Sequence, residues 1–165
     1  MSIPELRGYS RRPDEGEDVW VAGALYTFKA LGSENGNAYT LVEVYGRSGL
    51  ATPHHLHEQE EEGFYVVDGE VTLIIGEDSI KAAPGTFAFV PRGVPHSFRF
   101  DSTEAKLLLL LTPGAAGHEG LFREIGEPAT HHAIPPPIST PPDVVRLTGI
   151  AAKHGTRIIG PPHLA

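Results

Sequence analysis

From Val19 to Pro113 the apolar residues come in runs of strand length, each bounded by glycine, proline or a short polar turn. That punctuation most constrains what the chain can become. Segments such as ALYTFKAL (24–31), YTLVEVYG (39–46), GFYVVDG (63–69), EVTLIIGED (70–78), TFAFVP (86–91), HSFRF (96–100) and AKLLLLLTP (105–113) follow one another at turn-bounded intervals. With 19 glycines and 15 prolines in 165 residues, this is the pattern of an all-β sandwich or barrel. Ser33–Asn37 and Val67–Glu70 place glycine where a positive φ is easily adopted, so both predict tight connections between strands.

The length fits one domain with extensions. Residues 1–18 are polar, with Pro4, Pro13 and Gly16, and predict an N-terminal arm. Residues 19–113 predict the barrel, and 114–165 a C-terminal extension. Within that extension GHEGLFREIG predicts a short helix, and AIPPPISTPP (133–142) a stiff, extended connector. A second helix follows, capped by Ser139 or Thr140 with Pro141 in its first turn and Asp143 nearby. Val144, Leu147, Ile150 and Ala151 form its stripe, and Gly155 ends it. This helix is expected to pack on the barrel or on a neighbouring subunit.

The formal charge of −8, from 21 acidic and 13 basic side chains, argues against nucleic acid and anionic membranes as partners. There is no cysteine, so any bound metal must rely on histidine and carboxylate. The first residues lack an apolar leader core, and Leu107–Leu111 is too short to span a bilayer. The expectation is a soluble, cytoplasmic protein.

The stretch GLATPHHLHEQEEEGFYVVDGE carries the strongest chemistry. His55 and His57 are two apart, so on a strand both imidazoles reach one point. Glu62, just before an apolar strand, offers a hard oxygen ligand. His96 follows in VPRGVPHSF, where Pro91 and Gly93 predict a turn that brings the chain back to the same place. Three imidazoles and one carboxylate suit one divalent transition metal, with Fe, Mn, Ni, Co, Cu and Zn all compatible. His54 falls on the opposite strand face and is the reserve ligand. Glu61 is the alternative to Glu62, and Glu58 and Glu60 read as part of a solvated acidic loop. His118, His131, His132, His154 and His163 read as surface, cap or interface residues. Trp20, Tyr26 and the aromatics among 64–98 divide between core and pocket wall.

These spacings resemble the cupin superfamily. Gly49, His55, His57, Glu62 and Gly69 fit its first motif, and Gly85, Pro91, Gly93 and His96 its second, while Phe100 stands where that motif has asparagine. The resemblance implies a double-stranded β-helix, or jelly-roll barrel, with His55, His57, Glu62 and His96 as metal ligands; the interval to Gly69 favours Glu62 over Glu61. HHLHEQEEEGFYVVDGE, VPRGVPHSFRF and the IIGPP tail are similar to single-domain bacterial cupins of the quercetin dioxygenase type. That likeness implies a metal-dependent dioxygenase opening a flavonol-like or other enolic aromatic substrate, with dioxygen as co-substrate and Glu62 accepting the substrate hydroxyl proton. The competing readings are a non-catalytic metal- or small-ligand-binding cupin and a cupin isomerase or cyclase. A pocket lined by Lys, Arg or Tyr would favour the last, an apolar one the dioxygenase. A homodimer is the expected assembly.

Overall fold

The computed structural model describes residues 6–164. The start of the expected arm, residues 1–5 with Pro4, lies outside the described residues. In chain order the elements are β1 (Glu17–Val21), β2 (Ala24–Ala30), β3 (Thr40–Arg47), β4 (Pro53–His57), β5 (Glu61–Asp68), β6 (Val71–Ile75), β7 (Asp78–Ala82), β8 (Phe87–Val90), β9 (His96–Phe100) and β10 (Glu104–Thr112). Then come α1 (His118–Ile125), β11 (Glu127–Pro128), α2 (Val144–Lys153) and β12 (Thr156–Pro162).

Two antiparallel sheets enclose the core. One runs β11-β1-β2-β3-β10-β5-β8 and the other β12-β4-β9-β6-β7, the all-β jelly-roll arrangement. Alternation along each strand decides which side chains fill the space between them. On β10, Ala105, Leu107, Leu109 and Leu111 are buried, and the register sets Leu107 opposite Val44 and Val66 and Leu109 opposite Val42 and Phe64. Each such fully buried aliphatic side chain contributes about 1.5–3 kcal/mol. Phe100 is also buried, its ring 5.5 Å from that of Phe98, so at the departure from the resembled motif an apolar ring joins the core.

The C-terminal extension folds back on its own barrel. Phe122 of α1 packs on Tyr26 and Phe28, with ring centroids 4.7 and 6.3 Å away. Trp20 Nε1 donates to the Ala133 carbonyl at 2.8 Å and Arg47 to that of Pro135 at 2.8 Å, which pins the proline-rich connector. Asp143, not Ser139 or Thr140, caps α2 by accepting from the Arg146 N–H at 2.9 Å; its side chain reaches the exposed N–H of the first turn. Val144 is exposed, Leu147 and Ile150 are half-buried, and of the expected stripe Ala151 alone is fully buried. After Gly155, at φ +77°, the chain enters β12, a strand that the sequence reading did not anticipate. It pairs with β4, setting Thr156 opposite His57 and Ile158 opposite His55.

Candidate metal centre

Two strands of one sheet and one strand of the other bring the four candidate groups together. His55 and His57 share a face of β4, and His55 is the register partner of His96 on β9. The turn from Pro91 fixes that approach: Gly93, at φ +75°, donates its N–H to the His57 carbonyl at 2.9 Å. Glu62 enters from β5, opposite Leu111. One ligand atom from each of His55, His57, Glu62 and His96 lies within 4.8 Å of the others.

The donor chemistry fits a cation. The Nδ1 atoms of His55 and His96 lie 2.7 and 2.8 Å from the Pro53 and Val94 carbonyls. A carbonyl only accepts, so both Nδ1 atoms carry hydrogen, and in the neutral ring the Nε2 lone pair then faces inward. His96 Nε2 is 3.0 Å from Glu62 Oε2, and His57 Nε2 is 3.6 Å from the same oxygen. Two lone pairs at 3.0 Å repel unless a proton or cation lies between them. His57 Nε2 is also buried without a hydrogen-bond partner, a costly state in a protein interior. Burial holds His55 far below the ordinary imidazole range, at about 3, with His96 adding to the effect. Burial depresses His57 further, helped by His118 and His96. Neutral imidazoles are the form that binds a metal.

The other candidates separate from this cluster. Glu61 faces Arg92 at 3.9 Å. His54 turns to the far side of β4, where its ring meets that of His163 edge-on at 4.8 Å. His131 packs on Trp20, His132 bonds Asp18, and His154 bonds Glu124.

Glu60 and His118 correct the sequence reading. Instead of a solvated glutamate and a surface histidine, they are 3% and 4% exposed. His118 Nδ1 bonds the Glu60 carboxylate, which also accepts the His118 backbone N–H at 3.2 Å. Glu60 therefore serves as the side-chain acceptor at the start of α1 that Gly117 cannot supply. The His118 ring lies 4.2 Å from that of His57. Burial opposes its protonation, yet the hydrogen bond and charge of Glu60, with Glu62, hold it above the ordinary range. A signal for this placement was present: His118, Leu121, Phe122 and Ile125 recur at helical spacing, so the histidine belongs to the inward stripe of α1. Likewise Glu60 is two residues from Glu62 and shares its face.

Between the barrel and its C-terminal cover lies a cavity of about 120 Å³ that reaches His55 and Glu62. Its walls are mainly apolar, including Phe98, Leu109, Leu121, Phe122 and Ile158, and among the described residues no Lys or Arg lines it. Tyr26 also borders it; burial, then the charge of Glu62, raises its phenol above the usual range.

Residues 41–112 match the family described as cupin domain. Quercetin 2,3-dioxygenase of Bacillus subtilis is 32% identical over 136 residues, covering 82% of this chain and 40% of that protein. Quercetin 2,3-dioxygenase of Aspergillus japonicus is 29% identical over 144 residues, covering 79% and 39% respectively. The chain thus spans about two fifths of the length of these curated relatives. A crystal structure of a predicted oxalate decarboxylase from Thermotoga maritima superposes with TM-score 0.55 at 18% identity, over 63% of this chain and 97% of that one. At that identity the likeness speaks for the fold alone.

Proposed function

We propose, from the premise that this chain belongs to the cupin superfamily, that it is a metal-dependent dioxygenase acting on a flavonol-like or other enolic aromatic substrate. His55, His57, Glu62 and His96 are its metal ligands in this reading, and Glu62 is also its catalytic residue. The observation that carries it is the apolar cavity opening directly on His55 and Glu62. That wall accepts a ring and, among the described residues, offers neither Lys nor Arg for a phosphate or sugar acid; of the groups that would favour an isomerase or cyclase it carries Tyr26 alone, beside the His118 imidazole. The two quercetin dioxygenases support the same choice.

A divalent transition ion held by these groups supplies a Lewis acid that stabilises negative charge on an enol oxygen. Glu62, on the cavity wall, accepts the proton of the substrate hydroxyl when that group lies within hydrogen-bond reach. His55 and His96, oriented by Pro53 and Val94, hold the centre together with His57, while Phe98, Leu121 and Phe122 exclude water. Dioxygen is the oxidant: both its atoms enter the organic product, one ring carbon leaves as carbon monoxide, and no external reductant is consumed. A homodimer remains the proposed assembly, with the exposed Phe87 and Phe89 of edge strand β8 offering an apolar face.

The deciding measurement is oxygen uptake by protein reconstituted with Fe, Mn, Ni or Co, offered flavonols and simpler enols. Uptake with matching carbon monoxide release is expected, reduced by about 100-fold or more in Glu62→Gln. Metal-loaded protein that binds an enol tightly but consumes no oxygen with any of these ions would establish the non-catalytic binding cupin instead.

A further inference from the structure

Two polar groups on the cavity wall have no task in that scheme. His118 spends Nδ1 on Glu60, and among the described residues its Nε2 has no protein partner, while the ring borders the cavity. Thr156 Oγ1, on a residue 4% exposed, is buried without a hydrogen-bond partner and borders the same cavity. The two enter from different elements, α1 and β12, and each stands next to His57. Thr156 is the register partner of His57, and the His118 ring is 4.2 Å from that of His57, closer than the 4.6 Å between the His57 and His96 rings.

We propose that His118, fixed by Glu60, and Thr156 form a second oxygen-binding point beside the four-residue cluster, selecting ring substrates that carry a further oxygen next to the one held there. The inference rests on reading the cluster as a metal centre facing a ring-binding cavity. A buried unpartnered hydroxyl is costly, and a ligand oxygen removes that cost. Because Glu60 occupies Nδ1, Nε2 is the ring atom left to meet the ligand. A hydroxyl on the ligand pairs with Nε2 whichever of the two carries the hydrogen.

Size narrows the class. An apolar cavity of roughly 150 Å³ holds one benzene ring, so about 120 Å³ has room for no more than a single ring, with its oxygens directed at the polar groups on the wall. Further rings of a larger molecule would lie in the mouth or displace the cover. The closest simple match is a ring with two oxygens on neighbouring carbons.

The test uses the full chain loaded with Zn²⁺, titrated calorimetrically with catechol and with phenol. Wild-type protein is expected to prefer catechol. His118→Asn keeps an amide that can serve Glu60 and removes only the group reaching the cavity; it is expected to lower the phenol-to-catechol Kd ratio about tenfold. His118→Gln, whose amide extends to the Nε2 position, is expected to restore most of the preference, and Thr156→Val to lose about threefold. Any preference due to chelation at the zinc is common to all variants and cancels in the comparison. A ratio in His118→Asn within twofold of wild type overturns the assignment. The readout is binding to a redox-inert ion, so failure of the dioxygenase reading, seen as no oxygen uptake, is distinguishable from failure here.

Discussion

His55 and His96 are register partners on neighbouring antiparallel strands, with ring centroids 4.4 Å apart. Each is oriented by the carbonyl two residues before it. The geometry of this pair is thus set by strand pairing and by two short backbone contacts, not by a mobile loop.

Removing either member should empty the centre. His55→Ala and His96→Ala are each expected to weaken divalent-metal affinity by at least about 100-fold. The metal-to-protein ratio after dialysis, measured by atomic absorption, should fall from one towards zero. Full retention in either variant would refute the ligand assignment.

The depressed histidines make the metal-free protein acid-sensitive. An unfolded imidazole titrates near 6.5, whereas folded His55 does so at about 3 and His57 lower still. Between about pH 6.5 and 3 the unfolded chain therefore binds protons that these sites refuse, and stability falls as acid is added. His118, raised by Glu60, acts in the opposite sense, since its contribution is lost as pH rises. Thermal scans of wild type and His55→Asn from pH 7 to 4 isolate the first effect: the midpoint should drop more steeply in wild type. Parallel slopes would contradict it.

Loss of the Glu60 carboxylate should cost stability. Glu60→Ala strands two buried donors, His118 Nδ1–H and the His118 backbone N–H, at about 1–3 kcal/mol. At about 2–4 °C per kcal/mol for a chain of this size, a fall in Tm is expected, and a smaller one in Glu60→Gln, which keeps an acceptor. Equal Tm values for Glu60→Ala and wild type would show that the pair bears no structural load.

Gly69 and Gly76 separate backbone strain from crowding. Both adopt positive φ, +76° and +59°. A Cβ on Gly69 would lie 2.5 Å from the Glu104 carbonyl oxygen, whereas one on Gly76 meets nothing within 4 Å. Gly69→Ala should therefore destabilise by more than Gly76→Ala, which carries only the dihedral cost of about 1–2 kcal/mol. Denaturant melts compare the two directly.

What the sequence made legible was local. Runs bounded by Gly and Pro located the barrel strands, and the spacing of His55 to His57 and of Glu62 to its strand placed them on inward faces. The Glu60–His118 pair was harder, because its members are 58 residues apart and each looks ordinary beside its neighbours: one glutamate of four in Glu58–Glu62, one histidine at a helix start. Only the helical stripe of α1 and the two-residue step from Glu62 hinted that both face inward. β12 was hidden for another reason. Gly160, Pro161 and Pro162 are poor strand formers, and the segment is a strand because β4 offers an open edge to pair with.

That pairing has a consequence for biosynthesis. β4 and its outer neighbour are separated by roughly a hundred residues of chain. At about 5–20 residues per second on the ribosome, the strand bearing His55 and His57 waits on the order of 5–20 s for β12, and for Thr156 on it, to be made. His55, His57, Glu62 and His96 are all translated before the wall that β12 places beside them. An ion reaching these residues before β12 is made would therefore meet His55 and His57 without Thr156 beside them.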